Sequence, residues 1–416
     1  MKRPTAASLK KVTAENLAAL GAERLAQILI AAAETRPDLK RRLRMELAAE
    51  QGSEHLELEI DKRLASLAKA KSKVSWRKRA SFVADLEALR KLIADNLAAL
   101  EPEAALDRLW PFMALSRPLS ARVFDRDGTM AAVFLHAAGN IGALLKDGRH
   151  TERLVEALTE QPVRWADWLS AVIAQAPPSL PASALAAMPR GSAGAAAIVR
   201  QLADAAGDVD AFIATFPAQT LAQPPAAAEA ARRLLAAGRI EEAGRMLEAS
   251  SPLKPKARNL IFGRPVEPDY AWESAWIDYL DQTGRAAEAQ AVRWQSFERS
   301  LSVQRAKAFV RRLPDFDDIE AENRAFAHAA AHRHFEHGLQ FLMEWPALPE
   351  AARMILARPG DIDISADVAE PWAATLTARH PEAAEMLLAK APRPVKAAKA
   401  TRRRRAPRGT IRSLTT

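Results

Sequence analysis

The sequence predicts an all-α chain, an irregular α-solenoid of helical hairpins that ends in a disordered basic C-terminal tail. Three observations predict it. Apolar residues recur at helical spacing along most of the 416 residues. Alanine and leucine supply most of the 49% apolar content, aromatics reach only 6%, and runs of β-branched residues are scarce. Two stretches then repeat one pattern: Leu235, Gly238, Arg239, Glu242 and Ala243, and Leu280, Gly284, Arg285, Glu288 and Ala289. In each, a leucine ends an apolar run, a glycine turns the chain, and an acid followed by alanine opens the next run, the signature of a helix-turn-helix hairpin.

Taken in order, residues 1–13 form a basic arm and residues 14–175 an N-terminal helical region. Leu17 and Leu20 precede Gly21, and Leu25, Ile28 and Leu29 follow it. Leu39, Leu43 and Leu47 recur at i, i+4, i+8; Ile60, Leu64 and Leu67 come next; Phe82, Leu86, Leu89, Ile93 and Leu97 make another stripe. Each stripe is amphipathic and calls for a neighbour. Residues 104–115 and 129–145 read as two more helices, separated by a loop with Pro118 and Asp125-Arg126-Asp127-Gly128. Gly148-Arg149 with Glu152 is a partial third turn, because Arg153 stands where the alanine should be. Residues 176–194 carry Pro177, Pro178, Pro181 and Pro189 with Gly191 and Gly194, and read as a linker. A hairpin region covers 195–390, interrupted from Ser251 to Asp269 by four prolines. Over residues 391–416 proline, alanine and cations replace any apolar period, as in a disordered tail.

The net charge of +9 is unevenly spread. Residues 1–100 carry 20 Lys/Arg against 13 Asp/Glu, and residues 390–416 carry 10 against none, so the stretch between sums to −8. The body is acidic and the ends are basic, which confines any attraction to nucleic acid to the ends. The absence of cysteine excludes disulfides, cysteine-ligated zinc and a cysteine nucleophile. No apolar run approaches the roughly 18 residues of a membrane span, and no signal peptide is evident, so a soluble, cytoplasmic protein with no membrane contact is expected.

The five-residue step from Gly238 to Ala243, repeated from Gly284 to Ala289, resembles the mid-repeat turn of tetratricopeptide units, where a small alanine lets two helices pack closely. The glycines are 46 residues apart, against a usual repeat of roughly 34; the proline-rich insert supplies the excess. Two longer segments resemble a bacterial, mostly proteobacterial, helical family known as a domain of unknown function. The first runs from Asn16 to Leu25, with Lys40-Arg41-Arg42-Leu43-Arg44 and Trp76-Arg77-Lys78-Arg79 after it. The second runs from Trp294 through Phe297-Glu298 to Leu313-Pro314-Asp315-Phe316 and Glu322, with Trp345-Pro346-Ala347-Leu348 beyond. The resemblance implies a largely helical fold over most of residues 14–390. It brings no catalytic residue, substrate or partner.

Several clusters are candidate sites. His328, His332, His334 and His337 fall within ten residues, and on one helix His328, His332 and Glu336 would share a face suited to zinc or nickel. A solvated polar face explains them equally, and no metal or other cofactor is assigned. Asp315, Asp317, Asp318, Glu320 and Glu322 read as a helix start, with Asp317 as cap and Glu320 closing a capping box. Asp125-Arg126-Asp127-Gly128 lacks the acid at position 12 of a calcium loop, where His136 stands. Trp272 with Trp276, and Trp165 with Trp168, read as inter-helix packing. Trp76, Arg77, Lys78 and Arg79, with Lys69, Lys71 and Lys73 upstream, place an aromatic among cations as a single-strand binder does; the competing expectation puts Trp76 at the edge of the Phe82 and Leu86 core stripe. In the tail, Lys396, Lys399, Arg402, Arg403, Arg404, Arg405 and Arg408 form a polycation suited to phosphate, although arginine outnumbers lysine 43 to 17 throughout the chain.

No serine-histidine-acid arrangement, phosphate-binding glycine loop or HExxH is evident. The expectation is a non-enzymatic helical scaffold or adaptor for a protein or peptide partner. The alternative is a protein that binds DNA or RNA nonspecifically through its basic tail and N-terminal basic helices.

Overall fold

The computed structural model of the chain describes residues 12–145, 150–189, 194–252, 260–261, 264–265 and 269–391. It divides into two compact units, Met1–Leu221 and Ala222–Thr416. The described residues are helical throughout, apart from turns and one two-residue ladder.

The first unit runs α1 Ala14–Ala18, α2 Ala22–Thr35, α3 Pro37–Glu50, α4 Ser53–Lys69, α5 Trp76–Lys91, α6 Pro102–Ala114, α7 Ser116–Ser120, α8 Thr129–Leu144, α9 Thr151–Glu160, α10 Pro162–Ala166, α11 Leu169–Gln175, α12 Leu180–Ala187, α13 Ala196–Ala206, α14 Val209–Ala214 and α15 Ala218–Leu221. Between α5 and α6 the helix continues through a π-helical turn, Leu92–Leu97, and a last turn, Ala98–Leu100. Prolines sit at the starts of α3, α6 and α10, where the missing N–H costs nothing. Leu56, Ile60, Leu64 and Leu67 of α4 and Leu86, Leu89, Ile93 and Leu97 are buried in one continuous core that extends to Leu202, as their spacing predicts. Helix α8 crosses α11 so closely that a Cβ on Gly142 would lie 2.1 Å from the Val172 carbonyl oxygen. Helix α2 differs: only Ala33 is buried, while Ile28, Leu29 and Ile30 stand exposed with Leu17 and Leu20 before them.

The predicted linker 176–194 is corrected. Pro181 sits in the first turn of α12, which buries Leu180, Pro181 and Ala184 inside the first unit, and the chain instead divides after Leu221. Proline at a first turn starts a helix as readily as it ends one. The partial turn at Gly148-Arg149 lies outside the described residues.

The second unit runs α16 Pro224–Ala236, α17 Ile240–Ala249, β1 Leu260–Ile261, β2 Arg264–Pro265, α18 Tyr270–Gln282, α19 Ala286–Ser300, α20 Val303–Val310, α21 Asp317–Ala330, α22 Phe335–Glu344, α23 Leu348–Ala357, α24 Ala366–Thr377 and α25 Pro381–Lys390. β1 and β2 form an antiparallel ladder, Leu260 opposite Pro265. The two Gly-Arg turns are the same structure twice. Gly238 and Gly284 adopt φ of +74° and +75°. Arg239 N–H donates to the Leu234 carbonyl (2.8 Å) and Gly238 N–H to Leu235 (3.1 Å); Arg285 donates to Leu280 (2.9 Å) and Gly284 to Asp281 (3.1 Å). This is the Schellman closure, which satisfies the last carbonyls of the preceding helix. Each arginine then grips the glutamate three residues on through Nε and Nη2, Arg239 to Glu242 at 2.8 and 2.8 Å and Arg285 to Glu288 at 2.7 and 2.6 Å. Ala243 and Ala289 are fully buried, as close helix packing needs. Gly207-Asp208 in the first unit closes the same way, with Asp208 N–H on the Ala203 carbonyl at 2.9 Å.

Trp272 is buried, stacks on Trp276 at 5.6 Å and donates to the Leu247 carbonyl; Trp165 meets Trp168 edge-on at 5.4 Å. Both tryptophan pairs are thus packing elements, as expected. The acidic run opens α21 with Asp317, Asp318 and Glu320 in its first turn, yet the cap position is Phe316, one residue before the expected Asp317, and no side chain caps it. Residues 392–416, with the tail cations Lys396, Lys399, Arg402, Arg403, Arg404, Arg405 and Arg408, lie outside the described residues. Among the described residues no helix is long and apolar enough to cross a membrane.

Candidate nucleic-acid interface

The start of α5 breaks a local electrostatic rule. A helix N-terminus carries partial positive charge and favours acids, yet the first turn of α5 holds no acid and reads Trp76-Arg77-Lys78-Arg79. Ser75 occupies the cap position without a side-chain bond. Each cation there works against the helix dipole by about 0.3–1 kcal/mol at full exposure. Among the described residues only Arg79 is compensated, by Asp127 (2.7 Å) and the Phe124 carbonyl (3.2 Å).

Trp76 is 80% exposed, and the Arg77 guanidinium lies 5.4 Å from its ring centroid. The expectation that Trp76 joins the Phe82 and Leu86 stripe is overturned. Six and ten residues of helix rotate Trp76 by about 120° and 80° from those positions, so Leu86 is buried and Trp76 faces out.

The surroundings are braced. Val74 N–H donates to the Arg122 carbonyl (3.0 Å), while Arg122 reaches back through Nε to the Ser72 carbonyl (2.9 Å) and through Nη1 to that of Leu67 (3.2 Å). Asp125 accepts from the N–H groups of Met130 (3.1 Å) and Ala131 (2.9 Å), which explains the acid of the Asp-Arg-Asp-Gly loop as a helix cap. On this braced loop Phe124 is 78% exposed. Lys69, Lys71, Lys73, Arg77, Lys78 and Arg126 are also exposed and have no ion-pair partner among the described residues. A cleft of about 440 Å³, floored by Ala80, Val83 and Val133, continues from Arg79 and Asp127 toward Glu87 and His136. There Arg90 holds the Glu87 carboxylate through two bonds (2.8 and 2.7 Å) and keeps its pKa below the usual carboxylate value.

The structure thus leaves Trp76, Arg77 and Lys78 exposed around the first turn of α5 and, through the Val74–Arg122 and Arg79–Phe124 bonds, sets the loop of Arg122, Phe124 and Arg126 beside that turn. The sequence reading passed over Phe124; the available signal was an aromatic residue next to a charged turn, outside any apolar period.

The predicted histidine face does not form. Helix α21 ends at Ala330 and α22 starts at Phe335, so His328, His332 and Glu336 share no helix. The His328 Nε2 pairs with the Glu298 carbonyl (3.0 Å) and its ring packs on Phe297. His332, His334 and His337 cluster instead, with ring centroids 5.4–6.1 Å apart. Among the described residues no group of three or more His, Asp or Glu is arranged to hold a metal ion.

A second polar cluster lies inside the second unit. Glu273, 5% exposed, accepts from Ser296 Oγ (2.7 Å) and Arg299, and Arg293, 2% exposed, pairs with Asp281 and Gln290. Arg305 stacks on Tyr270 at 4.0 Å and donates to Ser274 Oγ (2.6 Å); burial lowers its pKa. These bonds tie α18, α19 and α20 together: Glu273 and Arg293 have charged partners in Arg299 and Asp281, and Arg305 bonds the Tyr270 carbonyl and Ser274 Oγ.

The chain matches one family over residues 7–197 and again over residues 190–408, and so belongs to it: the family of unknown function DUF6880. No curated protein and no solved structure matches the chain.

Proposed function

We propose that this family member is a non-enzymatic helical scaffold or adaptor that docks a protein or peptide partner. The observation that carries the reading is α2. Its Ile28, Leu29 and Ile30, with Leu17 and Leu20 before it, leave large apolar side chains in water around the second helix of the stack, where Ile30 is 62% exposed. Stacked-helix proteins cover their ends with polar caps, and uncovered apolar surface of this kind marks a contact surface. Tetratricopeptide-like hairpins support the same reading, since their concave surfaces hold peptides. The test is a pull-down with the full chain and with an Ile28→Asp, Ile30→Asp variant. A protein partner retained by the first and lost by the second supports the scaffold; no partner for either chain counts against it.

A second reading is favoured by the exposure of Trp76. In it the chain associates with nucleic acid through its basic ends, the tail cations adding a sequence-independent, salt-sensitive contact.

A further inference from the structure

We infer that the start of α5 and the loop before α8 form a binding site for single-stranded nucleic acid, with a phosphate at the first turn of α5 and a base stacked on Trp76. The inference deepens the nucleic-acid reading and rests on it.

Three independent observations converge. The first is electrostatic: the N-terminus of α5 has no side-chain cap and no acid in its first turn, and holds Arg77 and Lys78 against the dipole beside the Asp127-paired Arg79, an arrangement that an anion relieves. The second is apolar: Trp76 and Phe124 each leave about four-fifths of their surface in water, although Phe82, Leu86 and Val123 beside them in sequence are wholly or partly buried. The third is rigidity. Arg79 and Arg122 lace residues 67–79 to residues 119–127 through backbone carbonyls, so the two aromatics stand on a braced platform and less ordering is needed when a ligand binds.

The ligand class follows from the combination. The exposed Lys69, Lys71, Lys73, Arg77, Lys78 and Arg126 call for a ligand with several negative charges, and the open ring of Trp76 calls for a flat π face. A single strand supplies both, because its bases are free to stack. In a duplex the base faces are already covered. An acidic peptide satisfies the cations and leaves Trp76 in water.

The test measures binding of fluorescent dT20 and of a 20-base-pair duplex to the full chain at low salt, with poly-glutamate as a third probe. The variants are Trp76→Ala, Lys78→Glu, and a chain in which Arg402, Arg403, Arg404 and Arg405 are all glutamine. Trp76→Ala weakens dT20 binding about tenfold in the natural and the glutamine-tail chains alike, and affects the duplex little. Lys78→Glu weakens binding and lowers the salt slope by about 0.7. It also raises the thermal midpoint of the free protein by about 1–2 °C, because the substitution restores the acid that a helix start favours. That gain separates a binding role from a structural one. Binding that disappears with the glutamine tail and ignores Trp76 overturns this site and leaves the broader nucleic-acid reading in place. Failure of the unsubstituted chain to bind either oligonucleotide overturns both. Trp76-dependent binding of poly-glutamate without dT20 binding overturns the site as a nucleic-acid site and assigns it to an acidic protein.

Discussion

At the scale of single residues, the two Gly-Arg turns show how much a short pattern carries. Their leucine, glycine, arginine, glutamate and alanine each have one physical task, and both copies perform it with nearly the same distances. Nothing lies within 4 Å of a Cβ added at Gly238 or Gly284, so replacing either with alanine exacts only the left-handed backbone cost. Each variant is expected to lose about 1–2 kcal/mol in urea denaturation, and the two losses should agree. Glu87 makes a pH prediction. Because the Arg90 hydrogen bonds lower its folded pKa below the unfolded value near 4.3, its contribution is complete above that value and lost as pH falls through the folded one. Glu87→Gln should therefore be less stable than the natural chain at pH 7, with the gap narrowing as pH falls below the ordinary carboxylate range. Trp76 shows where legibility stopped. Its neighbours were readable, but its side of the helix depended on where α5 begins, and Ser75 marks that start without a capping bond.

At the scale of elements, apolar stripes located most helices, since a stripe of leucines has few other uses. The histidine segment misled because four histidines among alanines fit a continuous helix, whereas the chain turns at His332 to His334. Close crossings were not legible, as they depend on a partner distant in sequence. Gly142→Ala forces a Cβ into the Val172 carbonyl of α11 and should cost about 1–3 kcal/mol in chemical denaturation. The buried charges of α18 to α20 give the largest expected effect. Asp281→Ala strands the buried Arg293 guanidinium and should destabilise by about 3–5 kcal/mol, while Ser250→Ala, which removes one of two acceptors for the Trp272 indole, should cost about 1 kcal/mol.

At the scale of the molecule, the all-α class and the acidic body with basic ends were plain from composition. The boundary was not, since prolines that open helices look like prolines that end them. Two units with separate cores predict two calorimetric transitions. Gly142→Ala should lower one and Gly284→Ala the other; a single transition shifted equally by both would contradict the division. Within the second unit, helices pack chiefly on those one or two places along the chain: α16 on α17 and α18, α19 on α20, α24 on α25; in the first unit α8 packs on α11, across two intervening helices. Contacts between sequence neighbours close short loops, so the second unit is expected to fold faster than one built on distant pairings. That unit can therefore acquire its fold in the order in which it is synthesised, each hairpin settling against the last before the basic tail leaves the ribosome.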